Sequence, residues 1–192
     1  MYPKKLENLL LKVQKPGRYT GGELNSVVKD KNKVDIRYAF CFPDTYEIGM
    51  SHLGMKILYS LVNARDDAWC ERVFAPWVDM EAVLRENGIL LYALESGDPL
   101  TEFDLIGFTL QYELSYTNML NMLDLAGIPV RAKDRTSLAP IVVAGGACVC
   151  NAEPIAEFID IALPGDGEEV TAELIDLLKE YKKKGATKQE FL

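Results

Sequence analysis

The amino-acid sequence predicts a Rossmann-like α/β domain, with a mostly parallel sheet and helices on both of its faces. Short apolar runs typical of buried parallel strands recur along the chain, and amphipathic helical segments separate them. Strands that alternate with helices of this length indicate βαβ units. The crossover helices of such units cover both faces of a parallel sheet.

The individual elements follow from hydrophobic periodicity and from Gly and Pro breakers. Each apolar run is bounded by polar or turn-forming residues, and the last helix has the most regular apolar stripe. The predicted strands cover residues 34–42, 69–74, 89–94, 103–110, 140–146 and 159–165. The predicted helices cover residues 6–13, 53–62, 77–86, 115–126 and 170–181.

Three parts of the chain are predicted. Residues 1–33 form a basic N-terminal helix and connector, residues 34–183 form the Rossmann-like body, and residues 184–192 form a linker or tail. The net charge of −8 is unevenly divided, because residues 1–37 hold nine Lys/Arg against four Asp/Glu. The basic segment either lies on its own acidic body, which we favour, or contacts an acidic partner.

Composition excludes several classes of protein. The apolar runs are far shorter than the roughly 20 residues of a membrane span, and no signal peptide is apparent. The acidic body disfavours direct nucleic-acid binding, since phosphate neutralisation drives that affinity. Four cysteines in such a chain are typical of reduced thiols. We therefore expect a cytoplasmic protein.

The candidate ligand site lies in the loops that follow the strands. In an open α/β sheet, ligands bind beyond the carboxyl ends of the strands. Two glycine turns occur there, Gly145-Gly146 and Gly165-Asp166-Gly167-Glu168. Glycine permits positive φ and close approach of backbone to a ligand, although a simple turn would explain the first pair equally well.

The second turn is a poor site for a dinucleotide. Its acidic residues would repel a pyrophosphate, and the third glycine of the dinucleotide fingerprint is missing. Asp166 and Glu169 have the spacing of a capping box at the start of the last helix, which would satisfy the first N–H groups internally.

Few other residues carry chemistry. Asp44 and Tyr46 lie in the first loop, where they could contact a ligand or cap the loop. His52, the only histidine, precedes a helix and is more often a packed or capping residue than a ligand in such a place. Cys148 and Cys150 are too closely spaced for a structural zinc pair. No Cys–His or Ser–His–Asp constellation can be argued.

Four motifs together resemble the N-terminal domain of cobalamin-binding-type radical SAM proteins. They are the strings 42–59, 104–118, 144–148 with Glu153-Pro154, and 160–169, and the resemblance spans residues 34–183. The glycine turns of that family correspond to Gly145-Gly146-Ala147 and Gly165-Asp166-Gly167-Glu168. His52 lies in the loop that supplies an axial histidine in many cobalamin domains, but Met50 and Met55 replace the Asp and Gly of that motif.

The resemblance implies an accessory domain, without catalytic activity of its own, that binds cobalamin. Its site residues would be Asp44, Tyr46, His52, Gly145, Gly146, Gly165, Gly167 and Glu168. S-adenosylmethionine and the iron–sulfur cluster (4Fe-4S) would belong to a radical SAM catalytic domain, in the same longer chain or in trans. The three-cysteine Cys-x-x-x-Cys-x-x-Cys motif of that domain does not occur in this sequence.

Two alternatives to this assignment stay open at the level of sequence. One is a degenerate domain of the same fold that binds no corrinoid and serves as an interaction or positioning module. The other, which is weaker, is a stand-alone enzyme of flavodoxin or methyltransferase type. That alternative lacks a phosphate loop and a nameable acid–base pair.

Overall fold

The computed structural model describes residues 3–192 and confirms the predicted α/β class. Five parallel strands form one sheet in the order β2-β1-β3-β4-β5. Between residues 3 and 192, no helix is both long enough and apolar enough to cross a membrane. The strands are β1 (Ile36–Phe42), β2 (Ala68–Phe74), β3 (Leu105–Thr109), β4 (Ile141–Gly145) and β5 (Ile161–Leu163).

Helices cover both faces of the sheet, as predicted. They are α1 (Tyr46–Ser51), α2 (Leu53–Asn63), α3 (Val78–Asn87), α4 (Tyr116–Leu125), α5 (Gly167–Lys184) and α6 (Lys188–Phe191). Alternate residues of β1 supply two separate apolar cores. Tyr38 and Phe40 pack with α2 and α5, whereas Ala39 and Cys41 pack with α3 and α4.

The strand order places β1 and β3 side by side in the middle of the sheet. The chain leaves β1 toward β2 on one side, and later strands extend from β3 on the other. In doubly wound folds with this order, the point where the direction reverses leaves a crevice at the carboxyl ends of the two strands. The fold therefore puts a cleft where the loops after β1 and β3 diverge.

The predicted strand at residues 89–94 is wrong. All of the segment except Leu90 is buried, but its backbone bonds are divided among three different partners: Leu91 N–H donates to Leu125, Ala93 N–H to Asp98 and Leu94 N–H to Arg72. An apolar run shows that a segment is buried, and only pairing with a neighbouring strand would make it part of the sheet.

The predicted N-terminal helix is two short 3₁₀ turns, at Lys4–Leu6 and Leu10–Lys12. The bonds within them run from residue i to residue i−3. The spacing of apolar residues nevertheless predicted correctly which side chains are buried. Leu6, Leu10 and Val13 all join the core beside α3 and α4. Met1 and Tyr2, the first residues of the predicted 1–33 segment, lie outside the described residues.

The basic N-terminal segment lies on its own body, as favoured from the charge distribution. Arg18 and Lys15 pair with Glu47, and Lys31 pairs with Asp98. The ammonium group of Lys29 donates to three backbone carbonyls at the end of α2 and the start of β2.

Residues 184–192, predicted as a linker or tail, pack against the body. Thr187 and Glu190 form a capping box at the start of α6, and the buried ring of Phe191 meets Tyr181 edge-on. The polar composition of this segment gave no sign of this packing. Lys188 is buried because its ammonium group, 2.6 Å from Asp160, forms an ion pair.

Asp160 joins the C-terminal residues to the sheet. Its side chain is 1 % exposed, and it accepts hydrogen bonds from Arg135, Lys188 and the backbone N–H of Val142. Removing one member of a buried ion pair is costly because the charge left behind stays unpaired.

We predict that Asp160→Asn lowers the free energy of unfolding by about 3–5 kcal/mol, measured by urea denaturation. The matched control is Glu157→Gln, which removes an exposed pair with Arg131 and is expected to cost less than about 1 kcal/mol. Equal effects of the two substitutions would contradict this account.

Candidate functional site

A cavity of about 180 Å³ lies at the carboxyl ends of the strands, between the sheet and the N-terminal ends of α2 and α5. Six of the eight residues proposed from the sequence line it. These residues are His52, Gly145, Gly146, Gly165, Gly167 and Glu168. The two glycine turns therefore meet at one place, although they lie about twenty residues apart in the chain.

Gly146 is required by its backbone geometry. Its φ is 93°, and a Cβ there would lie 2.7 Å from the carbonyl oxygen of Leu110. The turn therefore passes directly against the loop that follows β3. Gly165 also has a positive φ, of 98°. Both turns thus present backbone without side chains to the cavity.

His52 caps α2. Its Nδ1 accepts a hydrogen bond of 3.1 Å from the backbone N–H of Met55, and its ring packs on Phe42. In a neutral imidazole, an accepting Nδ1 leaves the hydrogen on Nε2. That nitrogen then has no lone pair in the ring plane for a metal. The histidine-on form of cobalamin ligation does not fit this arrangement.

Asp44 and Tyr46 do not line the cavity. Asp44 accepts hydrogen bonds from the backbone N–H of Thr45 and from the hydroxyl of Tyr112, at 2.7 and 2.6 Å. The Asp44 carboxylate raises the pKa of Tyr112. The hydroxyl of Tyr46 donates to Glu23 in the N-terminal segment. Both residues therefore fasten loops to each other, the alternative that the sequence had left open for them.

The predicted capping box at the start of α5 is wrong. Asp166 is the N-cap residue, but its side chain makes no capping hydrogen bond. The carboxylates of Asp166 and Glu168 instead lie at the rim of the cavity. Among residues 3–192, no Lys or Arg side chain lines the cavity, so its charge opposes a phosphate group, as the sequence indicated.

Sequence reasoning missed two buried residues that carry hydroxyl groups and line this cavity. Tyr38 is 6 % exposed and Thr171 is 4 % exposed. Within the described chain neither hydroxyl bonds to another residue, and neither oxygen is fully enclosed, so both are open to the cavity. Burial raises the pKa of Tyr38 well above its ordinary value, so its phenol is neutral.

Gly107 is the residue that admits the phenol of Tyr38. A Cβ at Gly107 would lie 2.1 Å from the Tyr38 hydroxyl oxygen, so only glycine fits at this position of β3. A glycine inside a strand weakens it, and commonly marks the close approach of another group. The one sign of this contact in the sequence is Gly107 itself, which interrupts the apolar run from 103 to 110.

A second groove, of about 610 Å³, lies beside α2 and residues 23–27. It is larger, but it is displaced from the carboxyl ends of the strands. The buried cation that borders it, Arg72, already pairs with Glu95 and donates to Ser26. Its charge is therefore neutralised within the protein, and we place the candidate site in the smaller cavity.

Several exposed apolar side chains belong to segments that leave the carboxyl ends of the strands. They lie in the segments that follow β1, β2 and β3, and because the strands are parallel these segments share one edge. Leu53, Val78 and Leu114 are 68 %, 70 % and 82 % exposed. We call the following six residues the edge face: Ile48, Leu53, Trp77, Val78, Tyr112 and Leu114. Apolar side chains grouped in this way commonly mark an interaction surface.

These features define a doubly wound α/β domain with its cleft at the carboxyl edge of the sheet. The family described as radical SAM proteins, N-terminal, matches residues 54–192, and this chain belongs to that family. The matched region contains both glycine turns, whereas Asp44, Tyr46 and His52 precede it.

The chain is also similar to an uncharacterized protein of Methanocaldococcus jannaschii, MJ0966. The two sequences are 29 % identical over 143 residues, which cover 72 % of this chain and 26 % of that relative. The chain thus spans about a quarter of the length of the relative it matches.

We predict that His52→Ala lowers the free energy of unfolding by about 1 kcal/mol, the usual value of a helix N-cap. His52→Asn should retain most of the stability, because the Asn side-chain oxygen can accept the same bond from Met55. Urea denaturation of both variants measures this difference. A loss that is equal in the two variants would show that His52 stabilises the protein by some contact other than the cap.

Proposed function

We propose that this chain is an accessory, non-catalytic domain that docks its edge face on a radical SAM catalytic domain. The observation that carries the proposal is the group of exposed apolar side chains at the carboxyl edge. Membership in the family supplies the kind of partner, and the coverage of only 26 % of a relative leaves room for it. The domain would close one side of the catalytic site and hold the catalytic domain in position.

The edge face suits a protein partner better than a nucleic acid. Its six residues are uncharged, and the carboxylates of Glu168 and Asp166 lie nearby at the cavity rim. Contact with phosphates requires Lys and Arg, whereas the centre of a protein interface is depleted of charge and rich in aromatic residues.

We predict that Leu114→Asp weakens binding to the separately expressed radical SAM catalytic domain at least tenfold in calorimetric titration, because it places a charge in the edge face. The control is Leu177→Asp, an exposed leucine on α5 away from this edge, which should bind as the unmodified chain does. Undiminished binding by Leu114→Asp would refute the proposed orientation.

Corrinoid binding is the second candidate function. The two glycine turns beside the cavity favour it, since backbone can approach a large ligand closely there. A bound corrinoid would supply a cobalt centre for alkyl or electron transfer. The chain's own contribution would be to hold the corrinoid through loop backbone, because His52 is engaged as a helix cap.

The test is to mix the chain with hydroxocobalamin, desalt it and record the visible spectrum. If the corrinoid is retained, we predict equal retention and an unchanged spectrum with His52→Asn. If the unmodified chain retains the corrinoid and His52→Asn does not, the result would indicate that His52 is a ligand of the cobalt. A folded chain that retains no corrinoid would leave the positioning role as the function of the domain.

A further inference from the structure

The groove beside α2 has three features that together indicate a ligand. These are its shape, one weakly satisfied hydrogen-bond donor in its wall, and the balance of charge around that donor. The groove shares no lining residue with the cavity at the carboxyl ends of the strands. The inference therefore concerns a second site, and it does not rest on docking of the edge face.

The groove is long and follows the axis of α2. Two rows of residues from this helix and its C-cap line it, and each row has the i, i+4 spacing of one helix face. The rows span nine residue steps, or about 14 Å of helix rise. The volume of about 610 Å³ lies within the roughly 300–1,000 Å³ of small-molecule sites, so the shape suits an elongated molecule. The two rows are Met55, Tyr59 and Asn63, and Lys56, Ser60 and Ala64.

Apolar side chains form much of the wall. Leu24 and Val27 of the N-terminal segment line the groove together with Met50, Met55 and Tyr59. Leu24 is fully exposed, so a molecule in the groove would take part of its surface out of water. Methionine side chains are unbranched and adapt to irregular shapes. These walls fit a flexible aliphatic chain.

Arg72 supplies the weakly satisfied donor. Its side chain is 9 % exposed, with Nε donating to Glu95 at 2.7 Å and Nη2 to Ser26 at 2.9 Å. The guanidinium also lies over the Tyr59 ring, 4.6 Å from its centre, which fixes its orientation. Among residues 3–192, the acceptor for Nη1 is the thioether sulfur of Met50, at 3.3 Å. Such sulfur is a weak acceptor, so a ligand oxygen beside Met50 would form the stronger bond.

The charge around Arg72 favours an uncharged acceptor. The carboxylate of Glu95 is fully buried, and that of Glu23 lies 3.4 Å from Nη2 of Arg72. One guanidinium thus already has two carboxylates, and with Lys56 of the lining the charges of the four groups cancel. A third carboxylate would bring an uncompensated charge into the groove, whereas a carbonyl oxygen accepts the bond without adding charge.

We propose that this groove binds an elongated, uncharged acyl compound, an aliphatic chain that ends in the carbonyl of an amide or ester. The chain would lie along α2 between Val27 and Met55. The carbonyl oxygen would accept a hydrogen bond from Nη1 of Arg72 in place of the Met50 sulfur. A fatty acid has the same chain with a charged head group, and it should bind less tightly.

The experiment titrates the full chain with octanamide and, separately, with octanoate, and follows the backbone amide resonances by NMR. We expect saturable shifts with octanamide in residues 23–27 and 49–64. Octanoate should bind at least about fivefold more weakly, because its charge has no partner left in the groove. Tighter binding of octanoate, or no saturable shift in these segments at millimolar octanamide, overturns the proposal.

Met50→Leu tests the hydrogen bond itself. Leucine keeps the apolar wall at a similar volume and removes the sulfur that competes for Nη1 of Arg72. We expect about fivefold tighter binding of octanamide and a slightly lower midpoint of urea unfolding, because the donor loses its acceptor in the unbound protein. The control is Met119→Leu, the same exchange in the core on the other face of the sheet, which should leave the affinity unchanged. Unchanged or weaker binding by Met50→Leu contradicts the proposed bond.

Ser60→Trp tests the location of the site. Ser60 is an exposed residue of α2 that lines the groove, so a large ring there fills the groove without disturbing the core. Affinity for octanamide should fall at least about tenfold, since the apolar walls become covered. The control is Ser51→Trp, at an equally exposed position outside the lining, which should bind as the unmodified chain does. Undiminished binding by Ser60→Trp would place the ligand elsewhere and overturn the proposal.

Discussion

The parallel arrangement of the five strands is the constraint on which the rest of this structure depends. It brings all carboxyl ends to one edge, so five loops that are distant in sequence become neighbours. The position of β1 between β2 and β3 then opens a cleft at that edge. The cavity, the glycine turns and the edge face all follow from these two facts of topology.

Side chains complete the sheet where no further strand pairs with it. At β2, Asn63 bonds both the N–H and the carbonyl of Cys70, and Glu95 accepts from the N–H of Arg72. Lys29 of the N-terminal segment donates to the carbonyl of Ala68. An edge satisfied in this way is poorly able to pair with another chain. The basic segment is thus part of the folded body in the described structure.

The sequence was sufficient for the fold class and for most elements, because long apolar periodicity reports burial directly. Prediction from the sequence failed for residues that are buried without pairing in the sheet or without being apolar. All of residues 89–94 except Leu90 are buried without joining the sheet, and Lys188 is buried although its neighbours are polar. The Asp166–Glu169 spacing matched a capping box that the side chains do not form. Such outcomes depend on tertiary contacts that no local pattern contains.

The site was predictable only in part, for the same reason. The glycine turns were recognisable from the sequence because each is a short contiguous motif that follows a predicted strand. The contact of Tyr38 with Gly107 depends on the register of two strands, in which Tyr38 pairs with Leu105 and Gly107 is the diagonal neighbour. A tyrosine in an apolar strand predicts burial, and only the register shows that its hydroxyl faces a cavity.

The central claim is that the carboxyl edge is the working surface of this domain. Amide hydrogen exchange of the chain, measured alone and in complex with the radical SAM catalytic domain, tests it most directly. The account predicts slower exchange in the loops at 43–53, 75–78 and 111–115, with no change at the opposite edge around residues 97–104. Protection confined to that opposite edge, or no protection at all, would contradict it.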